Sequence, residues 1–542
     1  MAALLSPLLP LLALALGATT TASARQAPSS PAALPIVERR LDGEFEDWKE
    51  LDPVATRRDD ASDAALGAPD LVTVSLASDP SSFWIALHFA NEVTIQGLDR
   101  PLRLYLDIDH PSVGAAAGPL PGADLVVIFS PSPFDRGDAK AEAGNTKPGQ
   151  GVGVVVRRLN ERGELGESVP SESIGLGMAP THASRTFEIR LDRNDRQFAQ
   201  LTASVRAVAM IPDELGRIQT AEEVEPTRAL LVPRAKAEPP KAAAESIARA
   251  PGAALRVMSW NAERGALFKD PATFGAMLAA IRPDVVLWQE LGATKTEELV
   301  AWMNANGGGS GEPWQAVLSG GDLRTAVVAR RPLTVAPFLD GLKRTTDRGQ
   351  RDVRVAGALL DPDGDGPAGS ILFASLHLKC CGRVGSDEDE TRMSEAKAIR
   401  EAIAAAKSKL AETGTQLAGV VVGGDFNLVG TRTVLDATGA GLDGDGSALD
   451  PVAAYQLDGR SNATWRSAGD EFLPGRLDWI LLSGRSLATL RSFVFDGSDL
   501  SAEAAGTLGL PPKALAEPSD HLPVVVDIAV ELAAPASQEK SP

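Results

Sequence analysis

The residues best suited to chemistry in this chain follow a short apolar run, Val420–Asn427, with the sequence VVVGGDFN. Three β-branched residues lead into two glycines, which is the pattern of a buried strand that ends in a turn. Glycine has no Cβ, so the backbone there can come close to a ligand. Because side chains alternate along a strand, Asp425 and Asn427 are predicted to share one side of the strand end. Together they could hold a water and a phosphate oxygen, although both residue types are also common in plain turns.

Polar residues also stand at the ends of the other strands predicted in the same half of the chain: Asn261, Glu290, His377, Asp478, Asp520 and His521. Phosphate chemistry needs donors to the phosphoryl oxygens and an acidic ligand for a metal ion, and these side chains supply both. Each residue alone has an ordinary interpretation, since a single histidine or aspartate is usually structural or solvated. Their joint occurrence at strand ends favours a catalytic cluster.

The strands that carry these residues alternate with helices. Between residues 255 and 532, strand patterns such as DVVLWQE alternate with amphipathic stretches such as RMSEAKAIREAIAAAKSKL, and some strands are joined by hairpin turns. This order predicts a mixed α/β domain built on packed sheets. Residues 36–232 show shorter alternating runs separated by long polar loops, which predicts a β-sandwich.

The segments outside these two domains have biased compositions. Residues 1–24 combine an apolar stretch with the small-residue cleavage site ASA, which is typical of a signal peptide, although no Lys or Arg precedes the apolar stretch. We therefore expect a secreted or periplasmic protein without stable membrane insertion, and an uncleaved N-terminal anchor is the alternative. Residues 25–35 predict a flexible leader, residues 233–254 a linker rich in Pro, Ala and Lys, and residues 533–542 a disordered tail.

Length, charge and cysteine content narrow the class of protein. At 542 residues the chain is too long for one core, and its formal net charge is −19. That charge argues against tight non-specific binding to duplex nucleic acid, in which Lys and Arg neutralise phosphates, but it is compatible with a locally basic site. The two cysteines are adjacent, Cys380 and Cys381, which excludes a disulfide framework. The sequence allows either a vicinal disulfide between these two residues or two free thiols.

Six short motifs occur in order between residues 255 and 532: SWN, WQE, SLHLK, GGDFN, RLDWIL and SDHLPV. Together they resemble the endonuclease/exonuclease/phosphatase superfamily, which contains the deoxyribonuclease-I-like nucleases. The resemblance implies a four-layer α/β sandwich, in which two mixed sheets face each other and helices cover the outside. It also implies a metal-dependent phosphoric ester hydrolase of nuclease or phosphodiesterase type.

The same resemblance implies a role for each motif residue. Glu290 would ligate a divalent metal ion, Mg2+ in the first instance with Mn2+ or Ca2+ as alternatives, because hard cations prefer oxygen ligands. Asn261 and Asp520 would lie close to that ion, directly or through water.

The remaining motif residues would act on water and phosphate. Asp425 would orient or deprotonate the attacking water, and Asn427 would position it and bind a phosphate oxygen. His521 would face the scissile phosphate while Asp478 holds its other ring nitrogen. His377 would donate to a non-bridging oxygen.

The N-terminal half carries a more diffuse resemblance. The strings LDGEFEDW, LRLYLDID and RTFEIRLD are similar to family 9 carbohydrate-binding modules and related sandwich domains. This implies a glycan as a partner, with Trp48 and Trp84 as the candidate aromatic contacts, although a tryptophan on an alternating strand is usually a core residue. Asp107 and Asp109 could help to bind calcium, but we expect a solvated strand end at these positions.

Two hypotheses about function follow from these patterns. The first is a secreted, metal-dependent phosphoesterase whose sandwich domain targets or spaces the catalytic domain. Its substrate would be a nucleic acid, a phospholipid headgroup or a small phosphoester, and the acidity of the chain favours the latter two over long DNA. The second is a surface or glycan-binding protein with a catalytically weak phosphoesterase-like scaffold. The complete set of motif residues favours the first hypothesis.

Overall fold

A computed structural model gives the structure of the protein for the following residues: 32–33, 39–48, 56–58, 69–108, 118–138, 151–193, 204–211, 222–223, 227–230, 241–309, 311–362, 369–516 and 518–530. The predicted signal peptide, most of the predicted leader, Asp109, residues 233–240 of the predicted linker and the predicted tail lie outside these ranges. Within them, no helix is both long enough and apolar enough to span a membrane.

The strands of the N-terminal half fall into two sheets. Their bounds are β1 Ala32–Ala33, β2 Thr56–Arg58, β3 Leu71–Ser78, β4 Ser82–Val93, β5 Leu102–Asp107, β6 Leu125–Phe129, β7 Val154–Leu159, β8 Leu165–Val169, β9 Gly177–Ala179, β10 Ser184–Asp192, β11 Ser204–Ile211, β12 Glu222–Glu223 and β13 Thr227–Leu230. One sheet has the strand order β1-β13-β11-β5-β6-β7-β8, with β12 beside β11, and the other has the order β2-β3-β4-β10-β9.

The two N-terminal sheets pack face to face. One apolar cluster contains Phe83 and Ile85 from one sheet together with Leu104 and Val127 from the other. Such a cluster forms because the alternating apolar residues of each strand point to one face and are buried by the opposite sheet. The predicted β-sandwich is therefore confirmed.

The polar and aromatic residues singled out in this domain are largely enclosed. Trp84 is 1% exposed and its Nε1 donates to Asp79 at 2.7 Å, so Trp84 is a core residue and cannot contact a sugar. Trp48 is half-buried beneath the guanidinium of Arg39, which lies 3.9 Å from the centre of its ring. Asp107 is fully buried, so the expected solvated strand end is wrong there.

The C-terminal half contains two further large sheets. Its strands are β14 Leu255–Asn261, β15 Val285–Gln289, β16 Gln315–Leu318, β17 Ala326–Ala329, β18 Leu333–Val335, β19 Lys343–Thr346, β20 Gly349–Asp352, β21 Val355–Leu360, β22 Ser370–His377, β23 Leu417–Asp425, β24 Asp450–Pro451, β25 Asp478–Leu482, β26 Leu487–Val494 and β27 Val524–Val530. The first sheet has the order β16-β17-β15-β14-β27-β26, the second has the order β18-β21-β22-β23-β25-β24, and β19 and β20 form a separate hairpin.

Helices cover the outer faces of these sheets. Their bounds are α1 Ala266–Lys269, α2 Pro271–Ile281, α3 Thr296–Asn306, α4 Asp387–Glu412, α5 Thr433–Gly439 and α6 Ala502–Thr507. Buried residues of α2 and α3 pack on the first sheet, and those of α4 and α5 pack on the second. A third apolar cluster, which includes Val257, Leu287, Phe373 and Ile480, fills the space between the sheets. The domain is therefore the expected four-layer α/β sandwich.

The register of the strands brings their ends together. In the second sheet, His377 at the end of β22 pairs with Asp425 at the end of parallel β23, and Asp425 pairs with Asp478 at the start of antiparallel β25. In the first sheet, Asn261 and Gln289 are paired at the ends of parallel β14 and β15. Since paired residues on neighbouring strands lie about 5 Å apart, each sheet presents its polar residues at one edge.

The predicted linker is shorter than its composition indicates. Residues 241–254 lie on the C-terminal domain: the backbone N–H of Ala242 donates to Asp499, Ile247 is buried, and the N–H of Ala250 donates to the Asp527 carboxylate at 2.7 Å. Asp527 also forms a buried ion pair with Arg256, with a separation of 2.6 Å. These residues therefore belong to the folded domain, in contrast to the predicted boundary at 254.

A buried carboxyl group makes the stability of the sandwich sensitive to pH. Glu188 on β10 is fully buried, and its Oε1 accepts the backbone N–H groups of Asp42 and Gly43 at 2.7 and 2.6 Å. Burial raises the pKa of Glu188 from 4.5 to about 8, and the two N–H donors offset only part of this effect. Between these two pH values the folded chain holds a proton that the unfolded chain has lost, so the free energy of unfolding falls as pH rises.

We expect Glu188→Gln to flatten this pH dependence, because glutamine keeps the oxygen acceptor but does not titrate. The wild-type protein should lose up to about 1.4 kcal/mol per pH unit from this group between about pH 4.5 and about pH 8. Urea unfolding at several pH values measures the slope, with the exposed Glu161→Gln as the matched control. Equal slopes for wild type and Glu188→Gln would show that the carboxyl group is ionised throughout.

Candidate active site

Asp425 lies at the centre of the polar edge formed by the two sheets. Its Oδ2 accepts the side-chain amides of Asn261 and Asn427, each at 3.1 Å, and its Oδ1 accepts the backbone N–H of Asn427 at 2.8 Å. The Nε2 atoms of His377 and His521 lie 3.6 and 3.8 Å from Oδ2. One buried carboxylate oxygen is thus surrounded by four nitrogen groups from four different strands or strand ends.

The backbone around Asp425 explains the glycines of the motif. Gly424 has φ +150°, and an added Cβ would collide with the carbonyl oxygen of Leu376 on the neighbouring strand. Asn427 adopts the left-handed conformation with φ +48°, so its side chain turns back to Asp425 instead of continuing the strand alternation. The side chains of Asp425 and Asn427 therefore meet, but through a turn and not through an extended strand.

His521 and Asp478 form a tight buried pair. His521 Nδ1 lies 2.8 Å from Asp478 Oδ2, and both side chains are almost fully buried. Burial alone would lower the pKa of His521, but the carboxylates of Asp478 and Asp425 outweigh it and raise the pKa to about 10. The imidazole is consequently protonated at neutral pH, and its Nε2–H faces Asp425.

His377, in contrast to His521, is neutral. Its Nδ1 lies 3.2 Å from the guanidinium of Arg354, and its Nε2 lies 3.7 Å from Glu290 Oε1. Burial, followed by the positive charges of Arg354 and His521, lowers the pKa of His377 well below its ordinary value. Because a guanidinium can only donate, Nδ1 is the acceptor and Nε2 carries the proton of the neutral ring.

The carboxyl groups of the cluster repel one another. Burial raises the pKa of Asp425 to about 7; protonated His521 opposes this shift, and the neighbouring Asp478 and Glu290 add to it. Glu290 itself is held by Asn261 Nδ2 at 3.3 Å and by the backbone N–H of Arg264 at 3.1 Å. It adopts φ +55°, which turns its carboxylate out of the strand direction and towards the cluster.

Two groups of acidic and histidine side chains have ligand atoms within 4.8 Å of one another among the described residues: Glu290, His377 and Asp425, and Asp425, Asp478 and His521. Asp520 belongs to neither group. Its Oδ2 accepts Trp465 Nε1 at 3.1 Å, and its Oδ1 is buried with no hydrogen-bond partner in the described part of the chain. An unpaired buried carboxylate oxygen is costly unless it binds a cation.

These donors suit a hard divalent cation. The predicted ligands Glu290, Asn261 and Asp520 offer carboxylate and carboxamide oxygens, which Mg2+, Mn2+ and Ca2+ prefer. A cation would also offset the negative charges of Asp478 and Glu290, which add to burial in raising the pKa of Asp425. Among these residues, Asn261 and Glu290 are in direct contact, whereas the described hydrogen bonds of Asp520 are with Trp465, Arg466 and Glu263.

The structure adds residues for which no role was predicted. Arg354 sets the protonated nitrogen of His377, and Thr464 Oγ1 donates to Asp478 Oδ2 at 2.7 Å. Glu263 Oε2 accepts the backbone N–H of Asp520 at 3.3 Å. Glu263 lies two residues after Asn261 and was detectable as an acidic neighbour of that motif. Thr464 belongs to the pair Thr464-Trp465, which stands before GRLDWIL where the superfamily usually has a similar string. Arg354 stands in a stretch with no recognisable spacing to His377, the residue it contacts.

A comparison with models of protein families matches the part of the chain that carries this site. Residues 258–521 match the model of the Endonuclease/Exonuclease/phosphatase family. No curated protein matches the chain. The C-terminal domain therefore belongs to the endonuclease/exonuclease/phosphatase superfamily, whose members are phosphoester hydrolases that depend on divalent metal ions.

Solved structures with similarity to the chain cover about half of it. The catalytic domain of human Nocturnin with bound sulfate is 18% identical, with a TM-score of 0.34, and the match covers 51% of this chain and 94% of that chain. The 3′ phosphatase NExo from Neisseria, bound to a product DNA hairpin, is 18% identical, with a TM-score of 0.32 and coverage of 50% and 98%. Beta toxin from Staphylococcus aureus with bound magnesium ions is 15% identical, with a TM-score of 0.28 and coverage of 50% and 99%.

We expect Asp478→Asn to lower the turnover number for phosphoester hydrolysis by about 100-fold or more, with little change in fold. An amide at this position removes the negative charge that keeps His521 protonated, and losing one charged donor to a phosphoryl group typically costs this much. Steady-state kinetics at saturating metal measures the effect. Asp387→Asn, at the exposed start of α4, is the matched control and should retain wild-type turnover. Unchanged turnover in Asp478→Asn would show that the reaction does not need the protonated form of His521.

Proposed function

We propose that this protein is a secreted or periplasmic, divalent-metal-dependent phosphoesterase that hydrolyses a phosphodiester or phosphomonoester with an activated water. One observation carries the proposal: Asp425 Oδ2 lies between a neutral and a protonated histidine and within hydrogen-bond distance of two asparagine amides. A base beside donors of both charge states suits the attack of water on a phosphoryl group. Residues 1–24 supply the argument for export.

Each side chain has a defined part in this reaction. Asp425 takes the proton of the attacking water, and Asn427 orients that water beside it. Neutral His377 donates its Nε2–H to a non-bridging phosphoryl oxygen, while protonated His521 donates from Nε2 and is held by Asp478 at Nδ1. Both donors stabilise the negative charge that develops on the phosphoryl oxygens in the transition state. A divalent cation on Glu290, Asn261 and Asp520 supplies further positive charge to the phosphoryl oxygens when bound.

The glycan-binding alternative has less support from the described residues. Trp84, one of its two candidate aromatic contacts, is a core residue, and Trp48 is covered on one face by Arg39. The residues proposed for catalysis, in contrast, are largely buried and hydrogen-bonded to one another, and their charges suit a reaction or a bound cation. Phosphoester hydrolysis is therefore the function that the site supports best.

We expect the purified protein to hydrolyse at least one of four test substrates: bis-p-nitrophenyl phosphate, p-nitrophenyl phosphate, plasmid DNA and sphingomyelin. Turnover should require a divalent metal ion and should fall by at least about 100-fold in Asp425→Asn, which keeps the shape of the side chain but not its basicity. Asp387→Asn serves again as the control. The substrate that turns over identifies the subclass. No metal-dependent turnover on any of the four would contradict the proposal for these substrate classes.

We expect Glu290→Gln to weaken metal binding and leave the water-activating residues in place. Its turnover should rise again at metal concentrations about 10-fold or more above those that saturate the wild type, because a neutral amide is a weaker ligand than a carboxylate. Activity titrations with Mg2+, Mn2+ and Ca2+ test this point and identify the preferred ion. Asp425→Asn should show no such recovery. Identical metal dependence in wild type and Glu290→Gln would exclude Glu290 as a ligand.

A further inference from the structure

Residues 452–477, named here the support segment, hold two acidic side chains of the active site. Thr464 Oγ1 donates to Asp478 Oδ2 at 2.7 Å and accepts the backbone N–H of Asp478 at 2.9 Å. Trp465 Nε1 donates to Asp520 Oδ2 at 3.1 Å. The support segment therefore fixes the carboxylate that orients His521 as well as the carboxylate next to His521 in the chain.

The support segment has little regular structure of its own. Between Pro451, which ends β24, and Asp478, which begins β25, the chain forms only isolated bridges. A stretch without a hydrogen-bond ladder keeps one conformation only if its polar groups find partners elsewhere. Those partners come in large part from the β-sandwich.

The first turn of the sandwich contacts the start of the support segment. Asp42 accepts the hydroxyl of Tyr455 on its Oδ2 and the side-chain amide of Asn462 on its carbonyl oxygen, both at 2.9 Å. The backbone N–H of Leu41 donates to the carbonyl oxygen of Arg460 at 2.8 Å. These contacts lie within a few residues of Thr464.

The guanidinium of Arg460 reaches further into the sandwich. Its Nη2 donates to Ser81 Oγ at 3.0 Å and to Ser82 Oγ at 2.8 Å, and Ser82 is fully buried. Arg460 thus donates to two hydroxyl groups of the other domain, and one of them lies inside that domain. Such a contact indicates that the two domains have a defined relative position.

The end of the support segment is held in the same way. Gln96 Oε1 accepts the backbone N–H of Leu473 at 2.9 Å, and Thr181 Oγ1 accepts the backbone N–H of Arg476 at 2.7 Å. Arg476 lies two residues before Asp478. The fit is close, since a Cβ added at Gly475 would lie 2.5 Å from Thr181 Oγ1.

We infer that the β-sandwich positions the catalytic His521–Asp478 pair through the support segment, and that Thr181 and Gln96 are positioning residues of the active site although they belong to the other domain. The inference rests on the proposed phosphoesterase function. It assigns the sandwich a structural part in catalysis, in place of the expected role as a spacer or targeting module. Displacement of catalytic groups by about 1 Å is enough to cost about 100-fold in rate, so contacts of this kind bear on turnover.

The test compares Thr181→Val and Thr181→Ser in the full-length protein. Valine keeps the shape of threonine but leaves the N–H of Arg476 without its acceptor, whereas serine restores the hydroxyl. We expect Thr181→Val to lower kcat by about 10-fold or more at nearly unchanged KM, and Thr181→Ser to recover most of it. Thr73→Val, on a half-exposed strand position of the sandwich, is the matched control. Thermal unfolding of each variant ensures that all are folded at the assay temperature.

A second measurement does not depend on turnover. In protein labelled with 15N-histidine, the ring resonances of His521, assigned by their loss in His521→Asn, report on its bond to Asp478. Thr181→Val should shift them, and Thr181→Ser and Thr73→Val should not. Unchanged resonances with unchanged kcat in Thr181→Val would overturn the inference. An inactive wild type with shifted resonances in Thr181→Val would instead overturn the phosphoesterase proposal while supporting the positioning role.

Discussion

The mutual repulsion of buried carboxylates is the constraint on which the active site depends. Asp425 is flanked by Asp478 and Glu290, and burial strengthens their repulsion because little water is present to screen it. The charge of His521 and the donors from Asn261 and Asn427 offset part of this cost. A fold can retain such a cluster only if the surrounding core is rigid, and the three apolar clusters of the four-layer domain supply that rigidity.

The sheet geometry brings polar residues that are far apart in the sequence together in this cluster. His377, Asp425 and Asp478 lie side by side because they end or begin three neighbouring strands, so their proximity follows from register alone. This is why the sequence predicted the fold class and a set of strand-end residues that the structure brings close together. Their catalytic roles stay predictions. The position of Asp520 shows the limit of such patterns, because its carboxylate is directed by Trp465 and not by a strand partner.

Other features were beyond sequence patterns for physical reasons. Glu290 adopts a left-handed conformation that its residue type does not predict. Arg354, Thr464 and the docking of the sandwich depend on irregular stretches, in which no periodic spacing connects one partner to the other. The sandwich itself was predictable from alternation, but its contacts with the support segment were not. The predicted linker extends too far along the chain because residues 241–254 are rich in alanine and have a single large aliphatic residue, Ile247, so no apolar spacing indicates that they pack on the domain.

The hydrogen bonds from the support segment to Thr181 and Gln96 restrict which domains could replace the sandwich during evolution. Modules joined by a tether can be exchanged between genes, because neither depends on the surface of the other. Here the loops of one domain complete the backbone hydrogen bonding of the other, so a different sandwich would have to present acceptors at the same places. The two domains are separate in sequence, yet Leu473 of the support segment is part of the apolar core of the sandwich, so replacing either domain would disturb the other.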